Sequence, residues 1–325
     1  GLSLFFKAEQ TTNSIAIAGF AIGMNSIAGS LTAGARGAFI DRYGQKWPLR
    51  ILVPLYFTML ILMSRADTKS EILLMALLLG VSMPPINLSV RPLWKLAVDQ
   101  SLLRTAYAID TSVMSTTGIF GPIIATWISL TWDAEISLQL CAALMLSGGL
   151  ALSFSKLSRQ WQPEKKDEKA LPMYRIRALQ LLALEGAFLG IGWGAFDIGI
   201  PAFTTQENVQ SRTAIILGIA GLFNVFGGLF AGTISKRISP IRGFIRTYRF
   251  WMLACLPLAF TYPDWRMMAI AALIGFLGGI QMVFYWEVSE AIRPKVTAVQ
   301  TLGWLWTIEG SFAALGSAIG GVISE

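Results

Sequence analysis

No histidine occurs among the 325 residues, and cysteine occurs only twice. The first absence removes the side chain that titrates near neutral pH and the commonest metal ligand. It also excludes histidine-based hydrolytic triads. Cys141 and Cys255 both fall in apolar runs, so they are read as buried thiols, with no disulfide framework and no metal site. No Gly-rich loop ending in Gly-Lys-Ser/Thr is present, which leaves ATP drive without a binding loop. With no nucleophile–base arrangement either, the chain is expected to be neither an enzyme nor the holder of a cofactor. Charge is scarce as well. Asp, Glu, Lys and Arg make up 14% of the residues, against about 25% in a typical soluble domain.

What fills the chain instead is apolar. Hydrophobic residues account for 54% of it, and the mean hydropathy is +0.59. The runs are long enough for helices crossing a hydrocarbon core of about 30 Å, which takes roughly 20 residues each. Lipid supplies no hydrogen-bond partners, so continuous helices are the natural solution. About ten spans are legible, at 14–39, 49–64, 72–94, 105–127, 136–155, 178–203, 213–234, 244–262, 267–289 and 296–323. The opening Gly1-Leu-Ser-Leu-Phe-Phe6 reads as the tail of a preceding helix. The fold class is therefore an all-α polytopic membrane protein.

The net charge of +7 is a topology signal. With the segment 37–46 placed inside, all but five of the 26 Lys and Arg residues fall in connectors on that side; the five are Lys7, Arg65, Lys69, Arg212 and Arg266. Basic connectors stay in the cytoplasm, and nucleic acid is excluded as the reason for the charge. The one long polar stretch, residues 156–177, is a cytoplasmic linker. It separates an N-terminal bundle, 1–155, from a C-terminal bundle, 178–325.

The two bundles share a repeat. Gly37-Ala-Phe-Ile-Asp41-Arg42 meets Gly232-Thr-Ile-Ser-Lys236-Arg237 at an offset of 195 residues. Gly121-Pro122-Ile-Ile-Ala125-Thr126 meets Gly316-Ser317-Ala-Ile-Gly320-Gly321 at the same offset. Two unrelated patterns with one spacing argue for equivalent halves, the architecture of secondary transporters, which hold substrate between them.

Gly37-Ala-Phe-Ile-Asp41-Arg42-Tyr-Gly44-Gln-Lys46-Trp-Pro-Leu49 resembles the loop between helices 2 and 3 of the major facilitator superfamily, Gly-x-Leu-Ala-Asp-Arg-x-Gly-Arg-Lys-x-x-Leu. Gly37, Asp41, Arg42, Gly44, Lys46 and Leu49 match, whereas Phe39, Ile40 and Gln45 depart. Gly121-Pro122 resembles the helix 5 pattern Gly-x-x-x-Gly-Pro-x-x-Gly-Gly associated with antiporters, with Thr117, Ala125 and Thr126 in place of glycines. The resemblance implies a pseudo-symmetric two-bundle fold with helices 1 and 12 absent from this chain. It also implies a bacterial drug- or sugar-exporter type in the cytoplasmic (inner) membrane, working as a monomer. It suggests the start of helix 11, near residues 296–301, as the positive helix end that receives Asp41. Arg42 needs a carboxylate partner, and Asp99 in the next cytoplasmic connector is the candidate. Together these would form a latch between the halves. Pro122 would bend its helix, while Gly316, Gly320 and Gly321 would let the matching helix approach a neighbour closely.

Acidic groups inside spans are costly and functional by default. Glu309 is the most central, and Asp197 lies near the outer end of its span, with Trp193 one turn earlier on the same face. With Gln281 and Tyr285, also four apart, these are expected to line a polar and aromatic cavity that binds substrate or couples to protons. Asp110 and Glu185, nearer the cytoplasmic side, are read as hydrated or paired structural groups. Trp132, Trp265, Trp286 and Tyr262 are read as interfacial anchors. The functional expectation is alternating-access movement of a small solute by proton-coupled efflux. A nutrient uniporter or importer, or a non-transporting membrane sensor or scaffold, stands as the alternative.

Overall fold

A computed structural model describes residues 1–162, 173–209, 211–235, 237–294 and 297–324, with all their side chains except those of Met173, Asp197, Ile198, Ala318 and residues 320–324. Every long element among the described residues is a helix: α1 (Leu2–Thr12), α2 (Ile15–Tyr43), α3 (Lys46–Ser64), α4 (Lys69–Ser82), α5 (Ile86–Ala97), α6 (Leu103–Thr131), α7 (Ala134–Phe154), the short α8 (Lys156–Gln160), α9 (Arg177–Gln206), α10 (Ser211–Ala231), α11 (Pro240–Cys255), α12 (Trp265–Ile292) and α13 (Ala298–Ser324). Among the described residues, eight spans combine the length and apolarity needed to cross a membrane. The two expected spans outside that set are α13 and α11, and α11 carries Arg242, Arg246 and Arg249 within 16 residues.

Local sequence sets the helix ends. The Ser14 hydroxyl accepts from the Ile17 N–H at the start of α2, and Asp133 and Asp264 do the same for α7 and α12. At α4, Thr68 and Glu71 bond reciprocally to each other's backbone, satisfying donors that a helix start leaves open. The span expected at 72–94 is broken into α4 and α5 by Met83-Pro84-Pro85, because neither proline has an N–H to give. Arg36 of α2 donates to the carbonyls of Met83 and Gly29 and so satisfies an acceptor freed at the break. The span expected at 244–262 likewise ends early, in a 3-10 turn over Leu256–Phe260 that contains Pro257.

The helix starts obey the repeat. Shifted by 195 residues, α2, α3 and α6 begin within about one residue of α10, α11 and α13.

The chain forms two compact units, each discontinuous in sequence. The first holds Gly1–Leu96, Gly121–Met173 and Pro294–Thr307, and the second holds Ala97–Phe120, Tyr174–Arg293 and Ile308–Glu325. The expected bundles were contiguous, at 1–155 and 178–325. The difference lies in α6 and α13, each of which contributes to both units.

In the first unit a core joins Leu4 and Ala8 of α1, Ala18 and Ala21 of α2, Met63 of α3, Ile72 and Ala76 of α4, and Leu138 and Ala142 of α7. Among the described residues of the second unit are two smaller cores. Ile200, Ile216 and Met267 anchor one, Leu189, Trp251 and Ile274 the other. Large apolar side chains such as Phe20, Leu130 and Phe188 are exposed on the helices, as a lipid-facing surface requires. Cys141 is among the exposed residues and Cys255 is half-buried, so neither is the fully buried thiol expected. Trp286 is another correction. It is buried, with its ring edge-on to Tyr285 at 4.9 Å, whereas Trp132, Trp265 and Tyr262 are exposed.

Candidate functional site

In the first unit the end of α2 meets the start of α13. The Asp41 carboxylate accepts from the Val299 N–H at 3.0 Å and from the Gln300 N–H at 2.7 Å. These are the second and third residues of α13, whose N–H groups have no acceptor within the helix. A buried carboxylate there gains both charge-assisted hydrogen bonds and the favourable end of the helix dipole. The approach depends on Gly37, where a Cβ would sit 2.7 Å from the Gln300 Cα. One turn further along α2, Gly34 faces the Trp304 indole, and Thr307 donates to the Ser30 carbonyl at 2.5 Å. Ser30, Gly34, Gly37 and Asp41 thus form one continuous stripe of α2 against α13.

Gly44 ends α2 at φ 78°, a conformation that side-chain-bearing residues rarely adopt. Gln45, a departure from the family pattern, is fully buried and donates to the Ser89 carbonyl at 2.8 Å. Lys46 opens α3 with its ammonium over the Trp47 ring. Arg42 is exposed, its guanidinium over the Tyr43 ring. Asp99 belongs to the second unit, where it precedes the 3-10 turn Gln100–Leu102.

The second unit holds a charge centre that sequence reasoning missed. Arg104, the second residue of α6, pairs with Glu287 of α12 at 2.9 Å through Nε. Its other nitrogens donate to the carbonyls of Ile234, Ser235 and Ile238, beyond the end of α10. The guanidinium also lies over the Phe284 ring, 4.9 Å from its centroid. Arg104 is 195 residues before Val299, so the corresponding positions of α6 and α13 both anchor a helix start. In one a backbone donor meets a carboxylate; in the other an arginine meets carbonyls. Lys236, the counterpart of Asp41, lies outside the described residues. In sequence Arg104 looked like one more topology charge, and the only available signal was Glu287, an acidic residue within a span.

Deeper in the same unit lie Glu185, Gln281 and Glu309, and a set of aromatic side chains that includes Trp193 and Tyr285. The Glu185 carboxylate on α9 accepts from Gln281 Nε2 on α12 at 3.3 Å. Glu309 of α13 is close enough to act on Glu185 by like-charge repulsion. The backbone of Glu309 packs directly on Gly190 of α9, which brings α13 in tightly. Trp193 stands 5.8 Å from Trp251 between ring centroids, and Tyr285 stands 6.3 Å from Phe244. On depth alone Glu185 reads as a hydrated or paired structural group; it pairs with Gln281 and also lies within reach of the Glu309 charge. The Asp197 side chain lies outside those described.

Of the helix-packing candidates, Gly316 faces the backbone of Ile191, and a Cβ there would meet its Cα at 2.7 Å. Ser317 beside it donates to the Gly194 carbonyl at 3.2 Å. Gly121 has open space where its Cβ would be, so close packing does not explain it. Pro122 sits inside an unbroken α6, at the point where that helix passes from the second unit to the first. Gly320 and Gly321 continue α13 but lie outside the described side chains.

No curated protein matches the chain. Among solved structures it is similar over 99% of its length to the human organic anion transporter MFSD10 (TETRAN), at 15% identity and a TM-score of 0.72, covering 83% of that chain. It is also similar to a bacterial homologue of the iron transporter ferroportin in an outward-facing state with soaked iron, at 12% identity and a TM-score of 0.74, covering 99% of this chain and 90% of that one. At these identities the likeness is one of fold. Residues 2–323 match the family described as Major Facilitator Superfamily, and the chain belongs to that family of membrane transporters.

Proposed function

We propose that the chain exports a small solute by alternating access in exchange for protons. It would work as a monomer in a bacterial inner membrane, with the linker 156–177 cytoplasmic. The halves 1–155 and 178–325 would be the moving bodies. The observation that carries this reading is the group of Glu185, Glu309 and Gln281 on three apolar helices of one unit. Two carboxylates within reach of each other at membrane depth cannot both hold their charge cheaply. Proton uptake relieves the repulsion, and coupling follows if protonation favours one state of the transporter over the other. In this reading Asp41, with Gly37, Arg42, Gly44, Lys46 and Asp99, forms a latch at the start of α13. Arg104 and Glu287 hold the start of α6 correspondingly.

The test is transport by the purified chain in vesicles with and without an imposed pH gradient, comparing wild type with Glu309→Gln, Glu185→Gln and Asp197→Asn. Gradient-driven flux is expected to collapse in the first two, while exchange of labelled for unlabelled solute persists at saturating solute concentration. If both variants keep full gradient-driven flux, the coupling assignment is wrong. Equal wild-type flux with and without the gradient would favour a uniporter instead.

A further inference from the structure

The geometry points to an organic cation as the solute, held by the carboxylates and the aromatic row of the second unit; the assignment rests on the transport reading above. Five rings follow one another across α9, α11 and α12. Trp193 neighbours Trp251 at 5.8 Å, Trp251 neighbours Tyr248 at 6.0 Å, Tyr248 neighbours Phe244 at 5.9 Å, and Phe244 neighbours Tyr285 at 6.3 Å. Successive planes are tilted by 36° to 48°, so the row curves rather than stacking flat. Trp251 is held in place by its Nε1–H, which donates to the Ile274 carbonyl at 3.1 Å.

Glu185 is near enough to this row for its charge to act on the Tyr248 hydroxyl. One of its oxygens takes the Gln281 amide; the other, Oε2, is buried and has no hydrogen-bond donor among the described residues. The neighbouring charge that acts on Glu185 comes from a second carboxylate, Glu309. A buried acceptor without a donor, beside a like charge and next to a row of aromatic rings, is an arrangement that calls for positive charge.

The alternatives fit less well. An anion would be repelled by both carboxylates and by the ring faces. A sugar needs a dense set of hydrogen-bonding groups, and these five rings carry only the hydroxyls of Tyr248 and Tyr285 and two indole N–H groups, one of which already donates to Ile274. A bare metal ion needs several oxygen, nitrogen or sulfur ligands at once, and no cluster of three His, Cys, Asp or Glu exists among the described residues. A cation with an apolar or aromatic body satisfies the rings and the carboxylates together.

The experiment is equilibrium binding to the purified full chain in lipid nanodiscs. The probes are tetraphenylphosphonium and tetraphenylborate, which share a shape and differ in the sign of their charge. Saturable binding is expected for the phosphonium and not for the borate. Glu185→Gln should weaken phosphonium binding about tenfold, and Trp193→Leu about fivefold, the loss typical of one ring–cation contact. Unchanged thermal melting of Trp193→Leu keeps the test valid should Glu185→Gln fold poorly. Equal binding of the two ions, or phosphonium binding that both variants keep at full strength, overturns the assignment. So does full competition by manganese ion, which would indicate a metal substrate. If vesicles carry a neutral or anionic solute that phosphonium does not compete with, the cation assignment falls and the transport reading stands. If phosphonium binds as expected yet no gradient moves it across vesicles, the site stands and the transport reading falls.

Discussion

Asp41 is the residue on which the sequence motif and the structure bear most directly. Its carboxylate meets two N–H groups at the start of α13, and each such bond to a charged acceptor contributes about 1.5–3 kcal/mol. Asp41→Asn keeps the shape and loses the charge. It is expected to change the distance distribution between spin labels on the two halves while shifting solute affinity less than threefold; identical distributions would rule out the latch. Gly37→Leu is the steric counterpart, because a side chain would enter the backbone of Gln300. Thermal melting should fall by several degrees, as for a core overpacked by about 1–3 kcal/mol. The motif made Asp41 and Gly37 legible, since chemistry and spacing there are local. Glu185 was not legible, because its role depends on Gln281 and Glu309, 96 and 124 positions away in sequence. Trp286 is a related case: its place near a span end suggests an interfacial anchor, whereas it is buried in the fold, edge-on to the Tyr285 ring.

Among the elements, helix positions were readable almost throughout, because apolar runs of this length have few other solutions. The exceptions are the prolines. Pro84-Pro85 splits one span, and Pro257 shortens another; both signals were present in the sequence, but overall hydropathy concealed them. How helices anchor one another was less readable. Arg104 collects a carboxylate and three carbonyls from segments more than 125 positions away. Removing one partner of a buried pair costs about 3–5 kcal/mol, whereas replacing both with apolar residues is often neutral. Arg104→Met and Glu287→Met should therefore each lower the melting temperature of the purified chain, and the double variant should recover part of the loss. Strictly additive losses would show that the pair is not coupled. Gly316→Val should weaken the association of α9 and α13, read as faster hydrogen exchange in both helices, because Ile191 leaves no space for the added side chain.

For the whole molecule, the sequence repeat anticipated the helix order of both halves, down to the starts of α6 and α13. It did not anticipate how residues are shared between the compact units, since an offset between segments says nothing about which neighbours they choose. Severing the chain between residues 162 and 173 would give two pieces, each carrying a stretch that belongs to the compact unit formed mostly by the other: residues 97–120 in the first piece and residues 294–307 in the second. Each piece made alone is expected to be degraded, and the two made together should copurify from detergent; independent stability of either would contradict this. The consequence reaches to biogenesis. The first unit is unfinished until the start of α13 has left the ribosome, so the nascent bundle must wait in the membrane with the face of Gly34 and Gly37 uncovered, open to translocon components, chaperones or a wrong partner.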